Sequence, residues 1–202
     1  MDRPSRFVVA WASGPTEEAA APPVVRLTRQ RTAGRRGVPW VSDGRRVYRR
    51  LLARVYRDPQ RTGRRGRPRL LRSPGLRLTQ AVKQRRRGRV VGVTPRPVWG
   101  PRSACPCVVY EERLNGVLRD RLNCLTRKTH AFAKELPTWE AAVTLVLFAH
   151  NWLRPHPALR VPLPYAQDGR RYRPRTPAMV LGLTEHVWSI EEFLHRRHDQ
   201  RE

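Results

Sequence analysis

The sequence predicts an α/β fold in which helices pack on a sheet. Three observations predict it. Runs rich in β-branched and aromatic residues, closed by Gly or Pro, recur at 6–13, 37–44 and 88–100. Segments with apolar residues at helical spacing lie between and after them. The resulting order is strand, helix, strand, helix, basic stretch, strand, helix, helix, the alternation of folds that cover a sheet with helices. A chain of 202 residues suffices for one domain with a small appendage. Its 39% hydrophobic content lies below the usual ~45–50%, so a core can form while part of the chain stays loose.

The first strand is read from "RFVVAWAS", residues 6–13, closed by Gly14-Pro15. "TEEAAAPPVVRLTRQRT" then starts a helix with Thr16 as N-cap, and Glu17 and Glu18 favour the positive end of its macrodipole. Pro22-Pro23 interrupt that helix, which restarts at about Pro23. "GVPWVSDG", residues 37–44, is a short apolar strand ending in a polar turn. In "RRVYRRLLARVYRD", Val47, Leu51, Leu52 and Val55 make one helical face and arginines the other.

Residues 57–89 are rich in Arg, Gly and Pro. They read as a basic insertion, its first half an extended loop and Leu76–Arg86 helical. "GRVVGVTPRPVWG" is a strand that its prolines confine to a sheet edge. In "VVYEERLNGVLRDRLNCLTRKTHAF", Leu114, Val117, Leu118, Leu122 and Leu125 form an apolar helix face. Glu112, Asn115 and Arg119 share a separate polar face. "PTWEAAVTLVLFAHNWL", residues 137–153, is apolar nearly all round and predicts a buried helix. A Pro/Arg/Tyr loop at 161–175 and two short helical pieces end the chain. The expected division is a core over 1–155 and a tail over 156–202.

Charge narrows the function. The formal net charge is +26, and residues 1–103 hold 27 Lys plus Arg against 5 acids, while 104–202 hold 15 against 11. Such a field favours a polyanion, nucleic acid above all. No stretch is long and apolar enough to span a bilayer, so no membrane role is expected. Arg outnumbers Lys by 39 to 3, which suits phosphate recognition or reflects codon bias. Cys105, Cys107 and Cys124 lack zinc-finger spacing and read as free thiols in a reducing compartment. The N-terminus is not a signal peptide, and a cytoplasmic protein is expected.

Acids are scarce in the first half, so their positions carry information. Glu17, Glu18 and Asp58 have local explanations. Asp2 lies just ahead of a strand and Asp43 at the end of another. A helix bringing Glu111 or Glu112 to the same sheet edge would make three carboxylates, a set that binds magnesium. Such metal ions stabilise both oxygens of an in-line phosphoryl displacement. A simple turn aspartate is the competing reading of Asp43.

The motifs go further. "EERLNGVLRDRLNCLTRKTHAFAKEL", "AVTLVLFAHNWLRPHPALR" and "RTPAMVLGLTEHVWSIEEFL" resemble the C-terminal half of DDE transposases of bacterial insertion sequences. That family belongs to the retroviral-integrase-like superfamily and has an RNase H-like fold. The pattern E-R-x-N matches Glu112-Arg113-Leu114-Asn115, which makes Glu112 the third metal-binding acid by resemblance. "WVSDGRRVY" resembles the segment of the second aspartate, Asp43, and "DRPSRFVVAWASG" that of the first, Asp2.

The resemblance implies an RNase H-like mixed sheet flanked by helices, incomplete at the N-terminus, with a helical C-terminal part. It implies DNA transposition and integration: metal-dependent phosphodiester hydrolysis and strand transfer at a two-metal Mg²⁺ or Mn²⁺ site. The implied partners are transposon ends and target duplex, the implied assembly a homo-oligomer, the implied place the bacterial nucleoid. The chain departs from the family in three ways. It starts at the first aspartate without a preceding strand, its Asp43 and Glu112 are 69 residues apart, and Pro22-Pro23 fall in a helix. A shortened or decaying copy, or a misplaced start, is the expectation from these departures.

Asn115, Arg119, Arg64, Arg65 and Arg67 are the candidate DNA contacts, with ordinary solvation as the alternative. Asn151, Arg154 and His156 cap the helix end or touch DNA. Trp139, Trp152 and Trp188 read as core. Two other functions compete with transposition. One is an inactive basic DNA-binding remnant, and the other an unrelated RNA-binding protein.

Overall fold

The structure is a computed structural model that describes residues 1–32, 37–60, 66–101, 108–126, 128, 130–167 and 169–196. It is a mixed α/β chain that divides into two compact units. One unit is Val9–Val109, and the other joins Met1–Val8 to Tyr110–Glu202. Among the described residues no helix is long and apolar enough to cross a membrane.

The Val9–Val109 unit opens with α1 (Glu17–Arg31), capped by the Thr16 hydroxyl, which accepts from the Ala19 N–H at 3.2 Å. The helix runs unbroken through Pro22 and Pro23, against the expected restart. The two prolines deprive the Glu18 and Ala19 carbonyls of their helical donors, but both residues are exposed, so water can replace them. β1 (Pro39–Asp43) and α2 (Arg46–Val55) follow as the sequence indicates. β2 (Arg57–Gln60) pairs antiparallel with β3 (Arg69–Arg72) in a small ribbon.

β4 (Arg77–Arg86) overturns the helix expected over Leu76–Arg86. It is the central strand of a three-stranded sheet of order β1-β4-β5, parallel to β1 and antiparallel to β5 (Arg89–Trp99). Leu78, Thr79, Gln80 and Ala81 are all buried, as in a strand covered on both faces. The β4–β5 turn needs positive φ at both positions, which Arg87 (49°) and Gly88 (79°) adopt. Pro95 and Pro97 sit on β5 at the sheet edge, as expected. The segment read as an insertion thus supplies the middle of the sheet. Val25, Leu52, Tyr56, Leu76 and Leu78 form the core, with Trp40 and Trp99 packed on it.

In the other unit, residues 6–8 form no strand, and neither do 9–13 of the neighbouring unit, contrary to the reading of "RFVVAWAS". Side chains take the place of a partner strand. Val8 donates its N–H to Asn151 Oδ1 at 2.8 Å, and its carbonyl accepts from Asn151 Nδ2 at 3.1 Å. Arg31 Nη1 donates to the Val9 carbonyl at 2.6 Å.

α3 (Val109–Arg121) carries the expected apolar face, half-buried at Leu114, Val117 and Leu118. α4 (Leu136–Phe148) continues into a π-helical turn, Ala149–Leu153. It is not the buried helix expected. Only Val143 and Leu147, one i, i+4 stripe, are buried, while Leu136 and Leu145 are exposed. Phe7, Phe148, Trp152, Trp188 and Phe193 stack into an aromatic cluster, with Trp152 and Trp188 at 4.6 Å between ring centres. Trp152 and Trp188 are thus packing residues.

The stretch 161–175, read as a loop, is a hairpin of β6 (Val161–Gln167) and β7 (Arg170–Arg173). A two-stranded ribbon has only edges, so Pro162 and Pro164 fit within it. The short helices α5 (Pro177–Val180) and α6 (Ile190–Arg196) end the described chain.

Candidate functional site

Asp43 closes β1, opposite Ala81 of β4. Its Oδ1 accepts the Arg45 N–H at 3.2 Å, which fixes the turn into α2. Arg45 Nε lies 3.7 Å from Asp43 Oδ2 and 2.8 Å from Glu17 Oε2, so one guanidinium bridges two carboxylates. The Asp43 side chain is 47% exposed. The turn-aspartate geometry is therefore present, and the carboxylate still faces solvent.

Glu17 does more than the macrodipole requires, because it also accepts a hydrogen bond from the Tyr48 hydroxyl. Nothing near Glu17 in the sequence signals this contact, which exists only once α1 and α2 pack. Burial first, then the charge and hydrogen bond of Glu17, then Asp43 push the Tyr48 phenol up to about 12, partly opposed by Arg45. A pKa raised above the unfolded value of about 10 stabilises the fold fully below pH ~10. That stabilisation is lost as pH rises through about 12. Ultraviolet titration should therefore show a phenol ionising near 12 that Tyr48→Phe removes.

On α3 the two adjacent glutamates separate. Glu111 is half-buried, with Oε1 3.9 Å from the Met1 nitrogen. Glu112, Asn115 and Arg119 are exposed, on the shared face that their spacing predicts.

Asp2 lies in a tight turn rather than at the start of a strand. Its N–H donates to the Phe7 carbonyl at 2.7 Å. Its Oδ2 accepts the Ser5 N–H at 3.1 Å and the Ser5 hydroxyl. Asp2 and Glu112 belong to one unit and Asp43 to the other. Within each unit, among the described residues, no three His, Cys, Asp or Glu side chains gather as a metal site. The donor chemistry itself fits magnesium, since carboxylate oxygens are hard ligands and those of Asp43 and Glu112 face solvent.

Arg67 is exposed just ahead of β3, whereas Arg64 and Arg65 lie outside the described residues, as do Cys105 and Cys107. A more organised basic surface exists in the same unit. Arg46, Arg49 and Arg50 of α2 and Arg96 of β5 line a groove of about 650 Å³ with Gln80 and Trp99, and no acid lines it. Buried Gln80 holds it together, donating to the Arg45 carbonyl at 3.1 Å and accepting from Arg96 Nη2 at 2.7 Å. The sequence showed these α2 arginines only as the solvent face of a helix.

The motif residues near the end of α4 are structural in their contacts. His150 Nε2 bonds the Arg6 carbonyl at 3.0 Å, and Asn151 clamps Val8. His156 Nδ1 accepts from the Ala158 N–H at 3.2 Å, and the His156 backbone N–H donates to the Arg175 carbonyl at 2.9 Å. Thr176 caps α5 through its hydroxyl, and Pro177 and Ala178 are buried behind it. Burial pushes the His150 imidazole below its usual range, partly opposed by the bond to the Arg6 carbonyl. His156 is pushed down by burial and by the charges of His150, Arg6 and Arg113. No protein-family profile, curated protein or solved structure matches the chain.

Proposed function

We propose that this chain is a catalytic domain of the DDE transposase kind, with an RNase H-like arrangement of its sheet and helices. The observation that carries the proposal is the E-R-x-N segment on α3, which presents Glu112, Asn115 and Arg119 together to solvent. Asp43 at the end of a parallel strand supports it, as does a net charge of +26. Asp2, Asp43 and Glu112 are the residues that would hold Mg²⁺ or Mn²⁺. When bound, the metal polarises the phosphodiester and stabilises the charge that develops on its oxygens. Asn115 and Arg119 hold the neighbouring phosphates, and the groove of Arg46, Arg49, Arg50 and Arg96 tracks the DNA backbone. The partners are transposon ends and target duplex, acted on by a homo-oligomer at the bacterial nucleoid. The test is strand joining on duplex DNA with Mg²⁺ or Mn²⁺. Joined product that needs the metal supports the proposal, and DNA binding without any joining contradicts it.

One observation favours a second reading, a DNA-binding protein without strand transfer. Ser5 engages the Asp2 carboxylate through both its N–H and its hydroxyl, as a turn requires.

A further inference from the structure

A cavity of about 250 Å³ lies in the unit that holds α3, beside the end of α4 and residues 154–157. Its titratable lining, Tyr110 aside, is basic: Arg6, Arg113, Arg121, Arg154, His150 and His156 line it, and no carboxylate does. Arg6 is the unusual member. Its guanidinium carbon sits 3.1 Å from the centre of the Tyr110 ring. Its Nε and Nη1 are buried and have no hydrogen-bond partner among the described residues. Its φ of 64° lies in the left-handed region, a conformation that a non-glycine residue adopts at a cost. The His150 bond to the Arg6 carbonyl helps to hold that backbone.

A buried guanidinium with unmet donors is unfavourable, and stacking on an aromatic ring offsets only part of that. Here the neighbouring charges add to the cost instead of relieving it. His156 is pushed down by burial first and then by the charges of His150, Arg6 and Arg113, in keeping with the basic groups that line the cavity. An anion with several acceptor oxygens would meet the unpaired Arg6 donors and neutralise the basic lining. The volume falls below the roughly 300–1,000 Å³ of ordinary ligand pockets, so the anion is small. Arg6 already covers one face of the Tyr110 ring.

We infer that this cavity is a phosphate-binding site in which Arg6 supplies the buried donors and Arg113 and Arg154 close on the anion from the rim. The phosphate is an inorganic anion or the terminal phosphate of a nucleic-acid strand. The site uses none of the three carboxylates and stands whether or not the chain joins DNA strands.

Calorimetric titration of the full chain with inorganic phosphate, at constant ionic strength in chloride, tests it. Saturable binding is expected, weakened about tenfold by Arg6→Gln and by Arg113→Gln. Arg26→Gln, on the exposed face of α1, should leave it unchanged. Arg113 is exposed, so its variant keeps the test decisive if Arg6→Gln does not fold. A short oligonucleotide with and without a 5′-phosphate then separates the sources. Competition by the phosphorylated strand alone assigns the site to strand ends, and no competition assigns it to the free anion. Absence of saturable binding, or binding that Arg113→Gln leaves unchanged, would overturn the assignment.

Discussion

Glu112→Gln is expected to abolish metal-dependent strand joining while leaving duplex DNA affinity intact. The substitution keeps the side-chain shape and removes one charge. Glu112 is exposed on α3, and the packed face of that helix at Leu114, Val117 and Leu118 is untouched. Stability should therefore shift by no more than about 0.5 kcal/mol. A metal ligand acts on charge in the transition state, and losing such stabilisation costs at least about a hundredfold in rate. Asp43→Asn should do the same. Its side chain is 47% exposed, so the lost contact with Arg45 matters little for the fold. The measurement is product formation with Mg²⁺ against a filter-binding control. Joining that survives both substitutions contradicts the role of these acids.

Asn151→Ala should destabilise its unit by about 2–4 kcal/mol, because it orphans two backbone groups together. The Asn151 amide is buried and is bonded at both ends to Val8. Asn151→Asp should cost at least as much, since a carboxylate accepts from the Val8 N–H but sets its second oxygen against the Val8 carbonyl and buries a charge. Urea unfolding of the three chains checks the order. Equal stability of Asn151→Ala and the parent would show that water replaces the amide.

The same contact shows what the sequence could not say. "RFVVAWAS" has strand composition, yet its backbone partners include Asn151, 143 residues away from Val8, and Arg31 in place of a strand. β-branched composition expresses a fit to a pleated surface and cannot name the surface. β4 failed in the opposite sense. Gln80, Lys83 and Gln84 suit a helix by propensity, and only pairing with β1 and β5 makes a strand of them. α3, β1 and α2 were legible because each carries its period within a few residues. The prolines of α1 misled because helix tolerance depends on whether the freed carbonyls face water.

The candidate site divides in the same way. The positions of Asp43 and Glu112 follow from a short apolar strand and a clear helical face. Glu17 and Arg6 were missed because their significance lies in contacts with Arg45, Tyr48 and Tyr110. Local signals place a carboxylate on an element, and only tertiary packing says what else it touches.

The proposed function requires Asp2, Asp43 and Glu112 to hold the metal. Iron-mediated cleavage tests it most directly, since Fe²⁺ in place of Mg²⁺, with ascorbate and peroxide, cuts the polypeptide near the bound ion. Cuts are predicted near all three residues, suppressed together by excess Mg²⁺ and by Glu112→Gln. Cuts near only one of the three, or a pattern that Glu112→Gln leaves unchanged, would contradict the claim.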